Sequence, residues 1–227
     1  MTPVITIDGP SGSGKGTVGR LLAQRLGWRY LDSGAIYRAL AVAARRAGLA
    51  DQCEERLGAL AESLQVRFDG DRVLLGDEDI SAEIRDETTG NLASRIAAMG
   101  AVRAVLLHWQ RAYAQPPGLV GDGRDLGTVV FPNAQLKVFL TASVEERARR
   151  RYNQLKEKGL DVNFSGLAAE IQERDARDRN RGLAPLTVAA SALEIESTAL
   201  SIDQVLEQVL LRAREILPGL ECQGDAK

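Results

Sequence analysis

The sequence predicts a doubly wound α/β fold, a parallel sheet with helices on both faces. Three observations predict it. Short apolar, β-rich runs alternate with amphipathic helical stretches. The crossovers between them are long enough for right-handed βαβ units. The first run, Val4-Ile5-Thr6-Ile7, enters a glycine loop that opens a helix. Ligands of such sheets sit at the carboxyl ends of the strands, so the residues just after each strand are the ones to search.

The elements follow in order. From Lys15, the residues Val18, Leu21, Leu22 and Leu26 make one apolar helix face that ends at Gly27. Residues 28–31 read as the second strand, and Asp32-Ser33-Gly34 starts a helix through Leu40 and Ala47, closed by Gly48. Val66-Arg67-Phe68 and Arg72-Val73-Leu74-Leu75 flank the turn Asp69-Gly70-Asp71, a hairpin signal. With a further short strand near Ile80, residues 64–85 read as a small antiparallel insert. One long helix is expected over 92–113, stopped by Pro116-Pro117-Gly118. Residues 119–120, 137–141 and 193–196 supply three more sheet strands, for five in all. Ser143 with Glu146, and Ser201 with Gln204, have capping-box spacing for helices through Leu155 and to near Pro218. Between them lie a connector, 159–166, and a charged helix, 167–181. The polar tail after Pro218 is expected to fray.

Composition narrows the function. A chain of 227 residues, 44% apolar and 26% charged, is ordinary for a globular protein. No apolar run approaches the roughly 18–20 residues of a membrane span, and the N-terminus enters a strand without a basic region or cleavage site. A cytoplasmic protein with no membrane partner is expected. Cys53 and Cys222 form neither a CxxC pair nor a disulfide framework. A single histidine, His108, leaves no His-rich metal site and reads as a packing or surface residue. A net charge of -2 does not announce a nucleic-acid binder.

The loop Gly9-Pro10-Ser11-Gly12-Ser13-Gly14-Lys15-Gly16-Thr17 fits the pattern G-x-x-x-x-G-K between a strand and a helix. Its glycines let consecutive N–H groups turn toward one anion, the helix adds its positive end, and Lys15 can reach β- and γ-phosphate oxygens. All nine residues are candidates for holding the phosphates of ATP. Gly16 stands where Ser or Thr is usual, so Mg²⁺ would be served by Thr17 or by a water beside Gly16. A guanine-specific switch would offer Asn-Lys-x-Asp and Asp-x-x-Gly, and neither occurs.

A kinase needs instead a second anion site and arginines to shield the transferring charge. Asp32-Ser33-Gly34-Ala35-Ile36-Tyr37-Arg38 offers a hydroxyl and a guanidinium near a helix start. In Gly121-Asp122-Gly123-Arg124-Asp125, Asp122 could hold the Mg²⁺ hydration shell and Arg124 could reach phosphate. Arg147, Arg149, Arg150 and Arg151 precede Arg174, Arg177, Arg179 and Arg181. Helical spacing puts Arg174, Asp178 and Arg181 on one face, and Arg147 with Arg151 on another. These helices suggest a water-excluding lid over about residues 147–170, with Arg147, Arg151 and Arg177 joining Lys15 in catalysis.

Four segments now resemble the bacterial cytidylate kinases, within the nucleoside monophosphate kinase group. They are Ile7-Asp8-Gly9-Pro10-Ser11-Gly12 with Gly14-Lys15-Gly16-Thr17, Leu31-Asp32-Ser33-Gly34-Ala35-Ile36-Tyr37-Arg38, Gly123-Arg124-Asp125-Leu126-Gly127-Thr128-Val129-Val130-Phe131-Pro132, and Glu173-Arg174-Asp175-Ala176-Arg177-Asp178-Arg179-Asn180-Arg181. The resemblance implies a single P-loop kinase domain over 1–227 with a five-stranded core, an acceptor-binding region at about 33–113 that includes the antiparallel insert, and a helical lid. It implies Mg²⁺-dependent transfer of the ATP γ-phosphate to CMP or dCMP. Ser33, Arg38, Arg124 and Arg181 would hold the CMP phosphate. Ser94, Arg103 and Asp125 would read cytosine, whose amino group suits a carboxylate acceptor. Arg174 and Asp178 would contact the pentose. No leftover apolar helix face demands a partner, so a monomer is expected. A P-loop kinase for UMP, shikimate or gluconate is the nearest alternative, and a non-catalytic ATP-binding regulator the other. The clustered arginines argue against the regulator.

Overall fold

The structure, a computed structural model, describes residues 2–50, 53–70, 72–157, 159 and 162–220. Among them the elements run β1 (Val4–Asp8), α1 (Lys15–Leu26), β2 (Arg29–Asp32), α2 (Ser33–Arg46), α3 (Glu54–Glu62), β3 (Val66–Asp69), β4 (Arg72–Leu75), β5 (Glu78–Asp79), α4 (Glu87–Ile96), α5 (Gly100–Ala112), β6 (Leu119–Gly123), β7 (Leu136–Thr141), α6 (Val144–Glu157), α7 (Phe164–Asn180), β8 (Leu193–Glu196) and α8 (Ile202–Ile216). They divide into two compact units. One takes the chain up to Leu31, Tyr113–Asn180 and the chain from Ala184 on; the other takes Asp32–Ala112 with Arg181–Leu183.

The first unit is built on a five-stranded sheet of order β2-β6-β1-β7-β8. β1 runs parallel to both β6 and β7, and β7 parallel to β8. Every residue of β1 is buried, because a parallel strand covered on both faces has no solvent side. Val18 and Leu22 of α1 and Val205 and Val209 of α8 pack with Ile5, Ile7, Val138 and Leu140. The register sets Asp8 beside Gly123 and Phe139. The loops that follow β1 and β6 therefore leave the sheet at one edge.

Two helices of this unit start differently from expectation. Ser143 Oγ accepts the Glu146 N–H at 3.2 Å, but the Ser143 N–H goes to Thr198 Oγ1 at 2.9 Å. Glu146 cannot complete the capping box because Arg149 and Arg150 hold its carboxylate. α7 starts at Phe164 rather than Leu167, since Asn163 Oδ1 accepts from Ser165 N at 2.9 Å and caps an earlier turn. It ends at Asn180, so Arg181 does not continue the face of Arg174 and Asp178. By contrast, the Ser201–Gln204 capping box on α8 is complete.

In the second unit Asp32 caps α2, its Oδ1 accepting from Ala35 N at 2.9 Å. The antiparallel sheet β3-β4-β5 lays Val73 against Ala35, Ala39 and Val42 of α2, together with Ile80 just beyond β5. α3 was not expected; its buried face is only Leu57, Gly58 and Ala61, too slight a stripe to announce a helix. The single helix expected over 92–113 is two, α4 and α5. The Glu54 carboxylate accepts the Ala101 N–H, and a Cβ on Gly100 would lie 3.1 Å from Glu54 Oε1. α3 thus caps a fresh helix start in the middle of the apolar stretch. Asp71 of the expected turn, Lys158, Leu160 and Asp161 of the connector region, and residues 221–227 with Cys222 lie outside the described residues. Among the described residues no helix is long and apolar enough to cross a membrane.

Candidate active site

β1 delivers the chain into the loop, and α1 begins at Lys15. A Cβ on Gly9 would fall 2.0 Å from the Leu140 carbonyl oxygen, so only glycine lets the loop pass β7 this closely. Gly12 and Gly14 have φ of 78° and 96°, left-handed values that let successive N–H groups turn toward one side. Ser13 Oγ is buried with no hydrogen-bond partner. Lys15 Nζ donates to Pro10 O at 3.1 Å, folding its ammonium over the loop. Gathered N–H groups, a helix start and one ammonium make a cradle for a polyanion.

Beside the loop lies a cluster of carboxylates around one arginine. Asp122, at the end of β6, is 4% exposed, and its Oδ2 accepts the Tyr30 hydroxyl at 2.5 Å. A Cβ on Gly16 would lie 3.1 Å from that same oxygen. Gly16 therefore abuts Asp122 while Thr17, the next residue, is exposed. Asp8 is buried and accepts from Leu126 N at 2.9 Å and Gly127 N at 2.7 Å. Burial pushes its carboxyl up to about 6, and the nearby Asp125 charge adds to the rise. Arg124 Nε donates to Asp178 Oδ2 at 2.7 Å. Burial opposes the Arg124 charge, but Asp178, helped by Asp122 and Asp175, more than offsets it and holds the guanidinium above its ordinary range. Asp125 is itself buried, at the entry to a single π-helical turn, Leu126–Val130.

The predicted catalytic arginines separate. Arg147 is 2% exposed and spent on structure: Nε donates to Ala142 O at 2.9 Å, Nη1 to Ser11 O at 3.1 Å, and both Nη groups to the Asp175 carboxylate. Facing a transferring phosphate would require Arg147 to give up these bonds, which form where α6 packs on α7. Arg151 and Arg177 remain half-exposed on α6 and α7, as does Arg174. Arg177 Nε lies 3.8 Å from Glu173 Oε1.

In the second unit Ser33 is buried at the first position of α2, its capping duty taken by Asp32. Arg38, half-buried one turn on, has no ion-pair partner among the described residues. Arg103 Nη1 donates to Ala97 O at 3.2 Å and to the Tyr37 hydroxyl at 3.4 Å. Ser94 is half-buried on α4, and Arg181 is half-buried beyond α7.

Sequence reasoning passed over Asp8, Tyr30, Asp175 and Ser197. Asp8 carried a readable signal, an acid at the end of an apolar strand just before the glycines. Asp175 sits three residues before Asp178 on the same helix, also a readable spacing. Tyr30 and Ser197 meet their partners only through long-range folding.

A family model described as cytidylate kinase matches residues 5–215. The chain is 61% identical to a cytidylate kinase of Methylococcus capsulatus over 211 residues, 92% of this chain and 95% of that protein. It is 59% identical to a cytidylate kinase of Edwardsiella ictaluri over 221 residues, 96% and 98% of the two chains. Among solved structures, an uncharacterized protein from Eubacterium ventriosum gives a TM-score of 0.54 at 12% identity, covering 95% of this chain and 99% of that one. That likeness is one of fold alone.

Proposed function

The chain belongs to the cytidylate kinase family, which moves the γ-phosphate of ATP to CMP or dCMP, and from that premise we propose how its own residues divide the work. The carrying observation is the glycine loop at the start of α1 with buried Asp122 set against Gly16. Residues 9–17 hold the ATP phosphates, with Lys15 exchanging Pro10 O for the β- and γ-phosphate oxygens. No catalytic base is needed. A phosphate monoester has its second pKa near ~6, so the acceptor oxygen is largely anionic at neutral pH. The enzyme's work is in-line positioning and charge stabilisation.

Ser33, Arg38, Arg124 and Arg181 take the acceptor phosphate, Ser94, Arg103 and Asp125 the cytosine, and Arg174 and Asp178 the pentose. The lone guanidinium of Arg38 supports the first set. The Arg124–Asp178 pair supports a site whose phosphate ligand is already oriented. Arg151 and Arg177 shield the transferring group, and Arg147 does not touch it.

We assign the family's divalent cation as Mg²⁺. Among the described residues no group of three or more His, Cys, Asp or Glu could hold a metal ion. That fits Mg²⁺, which keeps its waters and takes few carboxylates beside substrate phosphates. Asp122 would hold the hydration shell, and a water beside Gly16 would stand in for the missing hydroxyl, since Thr17 is exposed. Bound there, the cation neutralises charge on the nucleotide's phosphate oxygens. We also propose a cytoplasmic monomer, because the exposed large apolar side chains Phe164, Leu183, Val188, Ile202 and Leu211 are scattered over several segments.

ADP release with ATP, Mg²⁺ and each of CMP, dCMP, UMP, AMP and GMP tests the reading. Fast turnover confined to CMP and dCMP is expected. Equal turnover of UMP would overturn the cytosine contacts, and ATP binding without any transfer would overturn the kinase reading.

A further inference from the structure

The start of α6 packs behind the phosphate loop and bonds to its carbonyls. A Cβ on Gly12 would lie 3.1 Å from Arg147 Cβ, and one on Gly14 would lie 3.7 Å from Arg150 Nη1. Both left-handed glycines therefore lean on α6. Arg147 donates to Ser11 O and Arg150 Nη1 to Ser13 O, each at 3.1 Å. Arg150 is fixed in turn: its Nε meets Glu146 Oε1 at 3.0 Å and its Nη2 meets Ser197 O at 2.7 Å. Buried Ser197 adds a hydroxyl 3.2 Å from Ser13 O and 2.9 Å from Thr141 O, with one proton to share between them.

Peptide geometry gives these bonds a consequence. In a trans peptide unit the C=O and the following N–H point to opposite sides. A Ser13 carbonyl drawn toward Arg150 and Ser197 therefore turns the Gly14 N–H the other way, away from α6. The Ser11 carbonyl does the same for Gly12 N–H. We infer that Arg150, braced by Ser197, is a positioning residue for ATP: it pins the Ser13 carbonyl so that the Gly14 N–H faces the nucleotide phosphates. Arg150 touches no substrate and acts only through the loop. An arginine suits the task because its planar fork spans two carbonyls and a carboxylate at once, which one ammonium cannot do.

This inference rests on the assignment of residues 9–17 to ATP. The test uses the full chain and reads KM for ATP against KM for CMP, with kcat and the thermal midpoint alongside. Arg150→Met is expected to raise KM for ATP about tenfold, the worth of a charge-assisted hydrogen bond, and to leave KM for CMP within about twofold. Arg150→Lys recovers part of the loss. Ser197→Ala raises KM for ATP by less, and adding it to Arg150→Met has little further effect because both act on one carbonyl. Unchanged KM for ATP with a lowered thermal midpoint, or equal rises in both KM values, would overturn the inference. Should Arg150→Met not fold, Ser197→Ala decides alone, and an unchanged KM for ATP sinks the idea. Lys15→Ala separates the two layers. If it still turns over normally, the loop assignment fails; if it is inactive while Arg150→Met keeps its KM for ATP, only the role of Arg150 fails.

Discussion

The surroundings of the phosphate loop and those of Arg38 hold their candidate ligand groups in opposite ways. In the first, the groups around the phosphate loop are already engaged with protein: Arg124 with Asp178, Arg147 with Asp175, Arg150 with Ser13 and Ser197, Asp122 with Tyr30. In the second, Arg38 stands half-buried without an ion-pair partner among the described residues. A pre-set cradle needs little reorganisation when charge develops within it. A lone guanidinium must give up rotamer freedom on binding, and its partner is then the ligand. In the proposed division of work, the phosphate loop and the Arg124–Asp178 pair are thus preset by protein partners, while Arg38 is left to be completed by the ligand.

The comparison can be broken at four points. The largest effect belongs to Lys15→Ala, expected to cut kcat in the ADP-release assay about ten-thousandfold. A loss below about tenfold would mean that the cradle works without its ammonium. Next, Arg147→Met leaves Asp175 buried and unpaired and is expected to lower the unfolding free energy in urea by about 4 kcal/mol. Adding Asp175→Leu should restore much of it, and a single variant as stable as the parent would show that the pair is idle. Third comes Asp8. Its folded carboxyl lies at about 6 against 3.8 when unfolded, so the folded chain binds that proton more tightly. Its contribution is complete below about pH 4 and is lost as pH rises through about 6, some ~3 kcal/mol in all. Unfolding curves of Asp8→Asn across that window should lack this slope; an unchanged slope would remove Asp8 as its source. The smallest effect is Arg38→Met, expected to raise KM for CMP about tenfold with KM for ATP unmoved. A parallel rise in both would erase the contrast.

The phosphate loop was legible because it is contiguous, nine consecutive residues between a strand and a helix, and the strand-end rule pointed to Asp122 and Arg124 as candidates. The sheet's five strands were equally readable, β1 and β7 as short apolar runs and β8 by the alternation of Leu193 and Ile195 with Glu194 and Glu196. What stayed hidden depends on distance in the chain. An arginine-rich run reads as a solvated face, and nothing local distinguishes Arg147, nearly sealed from water, from Arg149, two residues on and exposed. The break between α4 and α5 is made by Glu54, far upstream. Ser94 and Arg103 carried no local mark, and only the family resemblance picked them out.

The buried pair of Arg147 and Asp175 also constrains the history of the chain. Losing either partner strands a charge in the interior, so neither position can drift alone. Descendants of this sequence should exchange both residues within a short interval or keep both, and the two columns of an alignment should covary. Arg149, whose partner Glu146 is shared with Arg150 at the surface, is free to wander.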